Sequence, residues 1–174
     1  FVWSFGIWIV DRDKLVGNFV LNQLAVFLHA SVIMGYFRIA MDAFLEPKVT
    51  DLVGNIILLT FAFIIIRFQY CFHREFFLRS WVHWFFRSLL MCYPIALALL
   101  FSGHVAQALK LNVASLFMAS FLVFLIPIFG INWQQANHPM ISKRSLVAVD
   151  LLLLTVGLIN LLPALGILQT AAIA

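Results

Sequence analysis

Arg87 and Asp150 carry opposite charges, and each stands about six residues inside a long apolar run. An ionisable group at membrane depth is costly and tends to mark a working site. If both runs start at one membrane face, a helical rise of ~1.5 Å per residue sets both groups about 9 Å deep, in position to pair across a bundle. The alternative is that Arg87 reaches the headgroups along its own aliphatic stem, an option the short side chain of Asp150 does not have. His29 falls near the middle of another run, where an imidazole bonds a neighbouring helix or holds a proton or ligand. Asn55, Asn112 and Asn160, with Gln23, are suited either to interhelical hydrogen bonds worth roughly 1 kcal/mol each or to lining a cavity. Arg38 and Asp42, four apart, read as a local ion pair on one helical face.

Catalytic and metal-binding patterns are missing from the sequence. The histidines are His29, His73, His83, His104 and His138, and no two have the HxxxH or HExxH spacing that stacks ligands on one helical face. His73 and His83 flank a basic, aromatic stretch and read as interfacial packing. There is no GxSxG, no phosphate-binding Walker loop and no pair of carboxylates at mid-membrane depth. The expectation is a non-catalytic protein with no metal and no cofactor.

The elements that would position these residues follow from composition. Of 174 residues, 64% are hydrophobic and only 10% are charged, with a mean hydropathy of +1.06. A soluble domain carries about 25% charged residues, so lipid must cover much of this surface. The net charge of +4 is spread between apolar runs without a basic face, which excludes a nucleic-acid footprint. Cys71 and Cys92 lie in or beside apolar runs and read as reduced. No signal peptide is recognisable at the start.

Apolar runs long enough to span a bilayer cover residues 15–36, 52–72, 81–101, 111–129 and 146–168, and residues 1–10 form a partial first helix. The runs do not alternate as barrel strands would, so the expected fold is all-α, a single polytopic transmembrane helix bundle. Short links make consecutive helices antiparallel neighbours. The first, third and fifth links hold Arg12, Lys14, Arg67, Arg74, Arg79, Lys143 and Arg144, against Lys48 and Lys110 in the second and fourth. Basic links stay in the cytoplasm, and Trp81, Trp84 and Trp133 gather on that side, as interfacial indoles do.

The layout resembles the membrane region of bacterial seven-transmembrane receptors with diverse intracellular signalling modules. The resemblance rests on the charged cluster Asp11-Arg12-Asp13-Lys14, Gly35-Tyr36 near the end of a long second helix, and the link Phe72-His73-Arg74-Glu75-Phe76-Phe77. A last run ending Leu165-Gly166-Ile167-Leu168 completes it. The fifth link departs from the family, with Asn137-His138-Pro139 in place of a Gly-x-x-Pro-Ala pattern. The resemblance implies an extracytoplasmic sensor before Phe1 and a signalling output domain after Ala174. It assigns no ligand, and it brings no binding residues with it.

The expected function is therefore the sensing and signal-transmitting membrane module of a receptor in a bacterial inner membrane, working as a homodimer or larger assembly. Two alternatives compete with it. A small transporter or channel would use the intramembrane amides and charges as a pathway, and an assembly subunit of a larger complex would use its 19 phenylalanines as partner-facing packing. The charge asymmetry has a direct check in single-cysteine labelling of intact cells with an impermeant reagent, after replacement of Cys71 and Cys92. Position 48 is expected to label and position 143 to stay protected; the reverse pattern would refute the orientation.

Overall fold

In lipid every backbone amide has to be bonded within the chain, so an apolar run that does not alternate becomes a helix. The computed structural model describes residues 2–11, 14–133 and 143–161. Among them are seven α-helices: α1 (Val2–Asp11), α2 (Lys14–Ile33), α3 (Tyr36–Met41), α4 (Pro47–Arg74), α5 (Ser80–Phe101), α6 (Val105–Leu125) and α7 (Lys143–Leu161). A π-helical turn, Ile126–Gly130, extends α6. No strand occurs among the described residues, whose one β-type contact is an isolated antiparallel bridge between Leu78 and Ile131. By length and composition α2, α4, α5 and α6 with its π turn can each cross a bilayer. The protein is an all-α helical membrane protein.

Several boundaries differ from those read in the sequence, each for a local reason. The second run, expected as one helix over 15–36, stops at Ile33 because Gly35 takes a φ of 79°, and the short helix α3 starts afresh from it. Pro47, read as a breaker, instead opens α4 at its first turn, where a missing amide hydrogen costs nothing. Helix α4 then continues through the sequence taken for a polar link, so that His73 lies in its last turn. Pro94 leaves α5 unbroken. The run expected over 146–168 passes beyond residue 161 and so lies partly outside the described residues.

Helix α4 is the hub, packing against α2, α3, α5 and α6, while α1 adds to α2 and α7 adds to α6. The core has two parts. Leu59, Ala96, Leu100 and Ala108 close one end of the bundle. At the other, basic end Phe86 and Ile126, both wholly buried, pack with Ile66, Val82, Leu122 and Leu146. Close approach there needs Gly130, since a β-carbon at this position would come within 3.0 Å of Val82 Cγ2. Main-chain bonds lock the same end: Arg79 N donates to Gly130 O at 2.9 Å and Asn132 N to Phe77 O at 3.1 Å.

The turn between α2 and α3 gives a clean test of backbone conformation. A β-carbon added at Gly35 would meet no atom within 4 Å, so only its positive φ opposes substitution. Gly35→Ala is expected to lower unfolding stability in detergent by about 1–2 kcal/mol. Gly6→Ala, which adds a methyl to open space on α1, is the matched control and should cause no loss.

Candidate functional site: a buried histidine–aspartate pair

Asp150 is held on α7 by helix periodicity. Leu146 and Asp150 are one turn apart and both buried, whereas Val149, Leu151 and Leu152 on the same helix are exposed. One narrow stripe of α7 therefore faces the bundle, with a carboxyl group in it. From the other side α4 delivers His73 in its final turn. Both side chains have 0% exposure, and His73 Nε2 lies 3.2 Å from Asp150 Oδ2.

The hydrogen-bond pattern fixes how many protons the pair holds. His73 Nδ1 is 2.8 Å from the carbonyl oxygen of Gln69, which can only accept, so Nδ1 carries a hydrogen and donates it. Nε2 then faces a carboxylate oxygen, and two sets of lone pairs at 3.2 Å would repel. One further hydrogen must lie between them. The pair is either imidazolium with carboxylate or imidazole with carboxylic acid, and both have zero net charge, as a site without water requires. The other carboxyl oxygen, Asp150 Oδ1, is buried and accepts no hydrogen bond. The shared hydrogen is part of what holds α7 to α4.

Arg87 is not the partner of Asp150. The expectation of a pair rested on equal depth from two helix starts, but a helix presents only one face to its neighbours. On α5 the buried stripe is Val82, Phe86 and Leu89, and Arg87 projects away from it. It lines an open cleft with Tyr70, Arg74 and His83 instead. His73, read as interfacial packing, is the residue that sequence reasoning missed. The available signal was the length of apolar sequence before it, which lets α4 carry residue 73 into the bundle.

The remaining candidates are dispersed. His29 on α2 stacks on Phe61 of α4, with ring centroids 3.8 Å apart and planes within 8°, and its Nδ1 is buried without a hydrogen-bond partner. Asn112 on α6 donates to the Leu58 carbonyl of α4 at 3.3 Å and lines a small internal cavity of about 10 Å³ with Tyr93 and Ser115. That volume is at the lower limit for one water molecule. Asn55 is half-buried on α4, and the side chain of Asn160 lies outside the described residues. Arg38 bonds Asp42 at 3.5 Å and also reaches Asp51 at 3.6 Å, which ties α3 to the start of α4. Cys71 and Cys92 are free thiols. Among the described residues no three of His, Cys, Asp and Glu come together as a chelating set.

Removing one member of a buried pair strands the other, at a cost of about 3–5 kcal/mol. His73→Phe and Asp150→Leu should each destabilise the bundle in detergent by that order, and the double variant should recover a substantial part. Arg87→Leu combined with Asp150→Leu should show additive effects. Additive losses for the His73 and Asp150 variants would mean that the pair does not form. Comparison of the chain with protein-family models, with curated proteins and with solved structures gives no match, so the functional reading rests on this geometry.

Proposed function

We propose that the chain is the membrane-embedded sensing and signal-transmitting module of a receptor in a bacterial inner membrane, non-catalytic in itself, and that α7 is its moving element. The observation that carries this reading is the attachment of α7 to α4 through one buried hydrogen bond, His73 to Asp150. Signalling elements need two discrete arrangements whose balance a ligand or partner can shift by a few kcal/mol. A helix seated by one stripe, with a polar bond in that stripe, meets the requirement: the bond is made or lost as a unit. Assembly as a homodimer or larger complex belongs to the same proposal, with the outward face of α7 offering Val149, Leu151 and Leu152 to a neighbour.

The same pair also supports a second reading, a small transporter or channel, because a buried histidine and carboxylate can form a proton relay. The two readings separate experimentally. Spin labels at Phe68→Cys on α4 and Leu152→Cys on α7, in a background without Cys71 and Cys92, report the distance between these helices in lipid nanodiscs. The signalling reading expects one narrow distribution with the pair intact and a second, longer one after His73→Phe. Identical distributions would sink it. Sustained proton entry into proteoliposomes, abolished by Asp150→Asn, would move the reading to transport.

A further inference from the structure

At the basic end of the bundle a cleft of about 270 Å³ opens outward between the last turns of α4 and the first turns of α5. It is lined by Tyr70 and Arg74 from α4 and by Ser80, His83, Trp84 and Arg87 from α5. Among the described residues no carboxylate lines it. Both arginines are exposed, and neither guanidinium makes a hydrogen bond or ion pair with any described residue. Two cations that line one cleft, without a counter-charge among the described residues, repel each other unless an anion lies between them.

The other lining groups are also donors. Tyr70 Oη and His83 Nδ1 are 3.0 Å apart. Whichever atom supplies the shared hydrogen, the pair keeps one donor to spare: the ring Nε2–H in one tautomer, the phenolic O–H in the other. Ser80 is the first residue of α5, a 22-residue helix whose N-terminus has no side-chain cap. Its hydroxyl sits at the positive end of the helix dipole. Trp84, 70% exposed, and the exposed Trp81 on the same helix end mark the level of the lipid headgroups.

We infer that this cleft binds a phosphate oxyanion, with Arg74 and Arg87 as its paired guanidinium ligands. Planar guanidinium groups bond phosphate oxygens in a bidentate manner, and a lysine cannot reproduce that geometry. The phosphate has two possible sources, the phosphodiester of an anionic phospholipid and a soluble phosphate. The inference is independent of the signalling reading, and its test uses no signalling readout.

The detergent-solubilised full chain is exposed to phosphatidylglycerol or to phosphatidylcholine, and bound lipid is counted by native mass spectrometry. Inorganic phosphate binding is measured on the same samples by titration calorimetry. Preferential retention of phosphatidylglycerol, weakened about tenfold or more by Arg74→Gln/Arg87→Gln, assigns the site to a lipid phosphodiester. Binding of inorganic phosphate with the same arginine dependence, and no preference between the lipids, assigns it to a soluble phosphate. Arg74→Lys/Arg87→Lys keeps charge and stem, so it tests the site even if the glutamine pair disturbs folding, and its affinity should fall between the other two. Arg38→Gln, on a distant exposed arginine, should change nothing. Lipid and phosphate binding equal in the wild-type chain and in both double variants would overturn the inference.

Discussion

Asp150 carries a carboxyl group with no exposure to solvent, on a helix where Val147, Ala148, Val149 and Leu151 to Leu154 surround it in sequence. Burying such a group without a donor is severely unfavourable, more so where lipid replaces water outside. For His73 to supply the donor, α4 has to remain helical through residue 74, and it does. The imidazole must also present Nε2 to the carboxyl group, and the Gln69 carbonyl arranges this by taking the hydrogen of Nδ1. Apolar groups flank the pair: Phe72 meets the His73 ring edge-on, and Leu146, one turn from Asp150, belongs to the cluster of Phe86 and Ile126. The end of α4, the seating of α7 and part of the core are consequences of one requirement.

A second constraint shapes the opposite side of the same helices. Lipid tails are as apolar as leucine, so helices gain little from burying leucine against leucine and associate through close packing and interhelical hydrogen bonds. Thr60 Oγ1 and Tyr93 Oη at 3.1 Å join α4 to α5, and Asn112 reaching the Leu58 carbonyl joins α6 to α4. Both bonds converge on α4, consistent with its place at the hub. The arginines of the basic end follow a different rule. They stay outside the packed stripes because each would need a buried counter-charge, and among the described residues the buried carboxylate, Asp150, is already matched by His73.

What could be read in advance followed from properties that accumulate along the chain. Apolar runs and the lack of alternation point to a helical membrane bundle, since composition over twenty residues decides whether lipid can cover a segment. The same reasoning singled out Asp150 and failed to find its partner. Depth counted from a helix start says nothing about azimuth, and Arg87 is one residue, or about 100° of helical rotation, away from the buried Phe86. His73 was hidden by its neighbours: Arg74 and Glu75 look like a link, and whether a helix stops before or after one histidine depends on tertiary contacts. Asn112 looked like a membrane-depth amide, but its acceptor, a main-chain carbonyl 54 positions away, leaves no mark on local sequence.

The bridge between Leu78 and Ile131, with its flanking main-chain bonds, bears on how the protein is made. It ties the two ends of the α5–α6 hairpin to each other, while a turn through Ser102, Gly103 and His104 closes the far side. A hairpin closed at both ends can pass from the translocon into lipid as one unit, with the amides of Arg79 and Asn132 already bonded at its base. Helix α7 is synthesised after it, and the surface that receives Leu146 already exists once the hairpin has docked on α4. The order of synthesis thus matches the order in which partners become available: the helix that carries Asp150 follows α4, so the histidine that must meet it is already in place.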